Sequence, residues 1–109
     1  MLESVLGSIS CERALIFLAA RDEGYAREIA SFYATSLAPV QKQLDKLEAG
    51  GVLVSKTVGR TRLYQFNPRY PLLAELKAFL DKALTFYDQE LQDRLLLERR
   101  RPRRRAKPL

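Results

Sequence analysis

The order of signals between residues 36 and 66, SLAPVQKQLDKLEAGGVLVSKTVGRTRLYQF, constrains this chain more than any other feature. Ser36 stands where an N-cap precedes a helix. Pro39 falls in the first turn, where its missing N–H has no intrahelical partner to lose. Val40, Leu44 and Leu47 recur at helical spacing and form the inward stripe, which turns Leu37, Ala38, Gln41, Lys42 and Asp45 outward. Gly50-Gly51 ends the helix. An alternating run over 52–58 and a second over 61–66 then flank Gly59-Arg60, a two-residue hairpin turn. A helix followed at once by a basic hairpin is suited to fill a major groove and touch the adjacent backbone together.

Charge points to the same segment. Residues 36–70 hold Lys42, Lys46, Lys56, Arg60, Arg62 and Arg69 against Asp45 and Glu48, a net +4, whereas 1–35 carry −2 and 71–98 carry −3. The formal +6 of the 109-residue chain belongs to its end: seven basic residues lie beyond Glu98, and 1–98 carry −1. The local excess is therefore the better sign of a polyanion-binding face.

Elsewhere the pattern is helical. Residues 2–6 can form a short helix, and Ser8 caps a run with Cys11, Ala14, Leu15 and Leu18 on one stripe. Asp22-Glu23-Gly24 breaks it. Ala26, Ile29, Ala30 and Tyr33 predict a third helix, where Tyr25 is a poor cap but Glu28 can reach back to a backbone N–H. After Pro71 the spacing predicts one helix to about Arg99, with Leu73, Leu76, Leu80, Leu84, Tyr87, Leu91 and Leu95 at steps of three and four. Such a helix, about 40 Å long at 1.5 Å per residue, outreaches so small a body. Its stripe (Leu76, Leu80, Leu84, Tyr87, Leu91, Leu95) predicts a homodimer, with residues 2–6 as an additional contact. The expected fold class is mainly α with a small β-hairpin (α+β). The expected organisation is a DNA-binding domain over 1–70, a dimerisation helix over 71–98 and a basic disordered tail over 99–109.

Helix, helix, turn, capped helix, double glycine and hairpin is the winged helix-turn-helix order. On GYAREIA (24–30), SLAPVQKQLDKLEAGGVLVS (36–55) and GRTRLYQFNPRYPLL (59–73), the chain resembles winged-helix transcriptional regulators of the arsenic-repressor-like (ArsR-like) group. The resemblance covers about 7–84. It implies a regulator that binds double-stranded DNA, reading a palindromic operator as a dimer, and more readily a repressor than an activator. The helix 36–50 would then be the recognition helix, with Ser36, Leu37, Ala38, Gln41 and Lys42 in the groove. Gln41 can pair bidentately with adenine, and Lys42 can reach guanine or a phosphate. The wing residues Lys56, Arg60 and Arg62 suit backbone or minor-groove contact. The tail reads as a non-specific DNA arm.

The metal-sensing members of that group use paired cysteines and histidines. With one cysteine, Cys11, and no histidine, this chain offers no zinc site and no intramolecular disulfide. No cofactor is expected, and the carboxylates form no convergent set for acid–base catalysis, so an enzyme is not expected. The longest wholly apolar run, 14–20, is too short to span a bilayer, and no basic region precedes it. A cytoplasmic protein without membrane association is the expectation. A small-molecule effector cannot be read from these residues. Two other readings compete: a protein-interaction adaptor and a sequence-independent architectural DNA binder.

Overall fold

The computed structural model describes residues 1–97. In chain order the elements are α1 (Glu3–Leu6), α2 (Ile9–Arg21), β1 (Glu23–Tyr25), α3 (Ala26–Phe32), α4 (Leu37–Ala49), β2 (Leu53–Val58), β3 (Thr61–Phe66), α5 (Leu73–Leu84) and α6 (Gln89–Leu97). The architecture is α+β, and the winged helix-turn-helix order is present in full.

The central helix is α2. Ser8 caps it as its position predicts, with its Oγ accepting from the Cys11 N–H at 3.0 Å. Five residues in a row, Ala14 to Leu18, and Ala20 after half-buried Ala19 lose nearly all contact with solvent. A helix apolar on every side in this way must be covered on every side. Helices α1, α3, α4, α5 and α6 all pack against it.

The sheet has three strands in the order β1-β3-β2, all antiparallel. The expected hairpin is β2–β3, in register from Leu53↔Phe66 to Val58↔Thr61. Gly59, at φ +64°, opens its two-residue turn, a conformation that glycine adopts without steric cost and that matches the twist of the strands. The strand β1 is a correction to the expected plain break at 22–24. Three residues with no apolar alternation become a strand because they pair with the free edge of β3, Gly24 opposite Tyr64.

The helix expected from Pro71 to about Arg99 is likewise corrected: it is divided at 85–88 into α5 and α6. Polar side chains close one helix and open the next. The Thr85 hydroxyl donates to the Lys82 carbonyl at 2.7 Å, and the Asp88 carboxylate accepts from the Leu91 N–H at 2.9 Å, as an N-cap does. The division lets the apolar stripe fold back. Leu80, Leu84 and Leu95 are buried in the common core, with Leu76, Tyr87 and Leu91 packed at its margin. Arg21 of α2, half-buried with its side chain shielded from solvent, holds the end of α6, donating to the carbonyls of Leu95 at 3.1 Å and Arg94 at 3.0 Å. Buried Glu12 accepts from the Leu2 N–H at 2.9 Å and from the Tyr87 hydroxyl, joining the chain start to the α5–α6 link. Among the described residues no helix is long and apolar enough to cross a membrane. The expectations placed on 99–109 lie outside the described residues.

Candidate nucleic-acid interface

Helix α4 lies with Val40 and Leu44 buried and Leu47 against the core, so its outer face carries Ala38, Gln41, Lys42, Asp45 and Lys46. Ser36 has the extended backbone of an N-cap (φ −67°, ψ 150°), but its side chain makes no capping hydrogen bond. The sequence assigned that bond; the structure corrects it and leaves the Ser36 hydroxyl exposed at the start of the helix. Leu37 is half-buried and packs inward, which withdraws much of it from an external ligand.

Two sets of hydrogen bonds tie this helix to the hairpin. In the first, Glu48 of α4 accepts from the Ser55 hydroxyl at 2.7 Å, and Arg62 of β3 donates through Nε to the same hydroxyl at 3.1 Å. The Arg62 guanidinium also stands 3.6 Å from the Glu48 carboxylate. In the second, the Gln41 amide nitrogen donates to Asp45 Oδ1 at 2.9 Å and to the Tyr64 hydroxyl at 3.0 Å. The Tyr64 hydroxyl in turn lies 3.3 Å from Asp45 Oδ1, and burial followed by the neighbouring carboxylates pushes its pKa up. Exposed ion pairs add little stability. Their consequence is geometric: they set the angle and register of the hairpin against α4.

The groove between them is lined by Tyr25, Ala26, Arg27, Leu37, Gln41, Arg60, Thr61, Arg62 and Tyr64. It thus joins three cations from α3, the turn and β3, with no acidic side chain in its lining. Arg60 sits at the exposed turn, and Arg27 is exposed on the first turn of α3; neither has a partner among the described residues. A preorganised cationic cleft of this kind favours a polyanionic backbone over a neutral ligand.

Of the residues singled out from sequence, Leu37, Gln41, Arg60 and Arg62 come together in this groove, and Ala38 and Lys42 lie beside Gln41 on the outer face of α4. Ser36 and Lys56 do not line it. Strand alternation puts Lys56, opposite Leu63, on the other face of the hairpin from Arg62, opposite Thr57. The bidentate pairing of Gln41 with adenine would require its amide nitrogen to release Asp45 or Tyr64. Arg27 is the residue that sequence reasoning missed. The GYAREIA segment displayed it, but only the pairing of β1 with β3 carries the start of α3 to the wing.

A winged-helix fold with a cationic cleft between its fourth helix and its hairpin is a scaffold for nucleic-acid recognition. No family model and no curated protein matches the sequence. Solved structures do resemble it. Reduced HlyU from Vibrio cholerae aligns with a TM-score of 0.62 at 19% identity, over 81% of this chain and 86% of that one. ZitR from Lactococcus lactis in apo form aligns at 0.54 with 27% identity, over 79% and 67%. The adhesin competence repressor AdcR from Streptococcus pyogenes aligns at 0.54 with 19% identity, over 89% and 78%.

Proposed function

We propose that this chain is a DNA-binding transcriptional regulator, a dimeric repressor, that reads a palindromic operator with α4 and the wing 56–62. The observation that carries the reading is the strapped pairing of α4 with the basic hairpin. Gln41 and Lys42 stand on the outer face of the helix, and Arg27, Arg60 and Arg62 line the adjoining cleft. Helix-face groups then meet base edges while the arginines meet phosphates. The segments 24–30, 36–55 and 59–73 support placing it in the arsenic-repressor-like group, and one similar structure is named a repressor. The tail beyond Glu98 supplies a second, sequence-independent attraction to the duplex.

Since Leu80, Leu84 and Leu95 are spent within the subunit, the dimer surface we assign is the apolar groove of α1 and α5. There Val5, Leu72 and Phe79 are exposed around Leu6, Tyr70 and Leu76. A two-fold dimer through this face presents two copies of α4 to half-sites about 10 bp apart or a multiple of that. Selection of bound sites from random duplex DNA tests the reading. It predicts a two-fold-symmetric motif. Recovery of bound duplexes with no common motif supports the architectural reading, and no binding at all supports the adaptor.

A further inference from the structure

The Gln41 amide has one carbonyl oxygen and one nitrogen carrying two N–H donors. An Asp45 carboxylate accepts only, so the group facing it must be the nitrogen. Its two N–H bonds are occupied, one by Asp45 Oδ1 at 2.9 Å and one by the Tyr64 hydroxyl at 3.0 Å. Asp45 Oδ1 also lies 3.3 Å from the Tyr64 hydroxyl, which closes a three-membered ring of hydrogen bonds. Tyr64 is 1% exposed, so one corner of this ring is anchored in the core rather than on a free side chain. What Gln41 has left to offer a ligand is Oε1, an acceptor.

We propose that Asp45 and Tyr64 act as positioning residues that hold Gln41 as an acceptor-only reader. At one position of each half-site, Gln41 then selects a base with an exocyclic amino group, adenine or cytosine, over guanine or thymine. This rests on the reading of α4 as the recognition helix. In the major groove, adenine N6 and cytosine N4 are donors, whereas guanine O6 and thymine O4 are acceptors that Oε1 repels. A free glutamine would prefer adenine over cytosine, because its N–H can also donate to adenine N7. A glutamine with both N–H bonds occupied has no such preference. Adenine and cytosine become nearly equivalent, a specificity that the residue type alone does not predict.

The test uses the full chain and a selected operator. The position whose base preference disappears in Gln41→Ala is identified, and affinities are measured for duplexes carrying each base there. Wild type, Asp45→Ala and Tyr64→Phe are compared, with thermal melting as the control for folding. Wild type is expected to favour adenine and cytosine over guanine and thymine by about 5- to 10-fold, with adenine and cytosine within about twofold of each other. Both variants release an N–H and are expected to favour adenine over cytosine by about fivefold. A purely structural role for Asp45 and Tyr64 changes affinity or melting without changing the base preferred. Three results overturn the proposal: a wild-type preference for guanine or thymine, the same adenine-to-cytosine ratio in all three proteins, or a Gln41→Ala profile identical to wild type. If wild type selects no site at all, the regulator reading falls and takes this proposal with it.

Discussion

Gly24 has to be glycine because of what lies over it. A Cβ there would stand 2.8 Å from Cε1 and 3.2 Å from Cδ1 of Phe17. That ring is itself fully buried, edge-on to Phe32 at 5.6 Å and beneath the Arg21 guanidinium at 4.6 Å, so it has little room to give. Gly24→Ala is therefore expected to cost about 1–3 kcal/mol in denaturant unfolding, and an unchanged midpoint would contradict this packing. Two tyrosines give the fold a limit at high pH. Burial pushes the pKa of Tyr33 up, and burial together with the hydrogen bond to Glu12 does the same for Tyr87. With folded pKa values above the unfolded value of about 10, the unfolded chain releases these protons first. Stability is then insensitive to these groups below about pH 9 and falls as pH rises through 10, by at most about 1.4 kcal/mol per pH unit for each proton. Tyr33→Phe and Tyr87→Phe should each flatten that decline in pH-dependent unfolding; equal slopes would contradict the assignment.

At the scale of elements, the structure couples a helix to a hairpin. Arg60, on the turn and without a partner among the described residues, is free to neutralise one phosphate, whereas Arg62 is shared with Glu48 and Ser55. Arg60→Ala should weaken binding to all duplexes and reduce the log–log salt slope by about 0.9, and an unchanged slope would remove Arg60 from the interface. Both α4 and the wing were legible in the sequence because their signals are local: a helical stripe, a double glycine, and two alternating runs around a turn. The rest was not, because it depends on distant partners. The strand β1 exists only through β3. The apolar steps of three and four residues run unbroken through Leu84, Tyr87 and Leu91, so the pattern concealed a division that Thr85 and Asp88 impose. Nor could the helix pattern reveal that Gln41 is already bonded to Tyr64, 23 residues away.

For the whole molecule, division of the C-terminal helix moves the stripe from a partner to the core. Leu95 is fully buried, so Leu95→Ala should cost about 2–5 kcal/mol, a loss that stays the same at every protein concentration. Phe79 is 40% exposed on the α1–α5 groove, so Phe79→Ala should leave the fold intact and shift the proposed dimer toward monomer in sedimentation analysis. A concentration-dependent effect at Leu95 with none at Phe79 would return the interface to the stripe. If α4 and the wing together form the DNA-binding face, the affinity of Lys42→Ala/Arg60→Ala for a selected operator reports it. Both side chains are exposed, so folding should be unaffected. The double variant should lose about 100-fold in affinity with an unchanged melting temperature. Undiminished binding by that double variant would place the DNA-binding face elsewhere on the molecule.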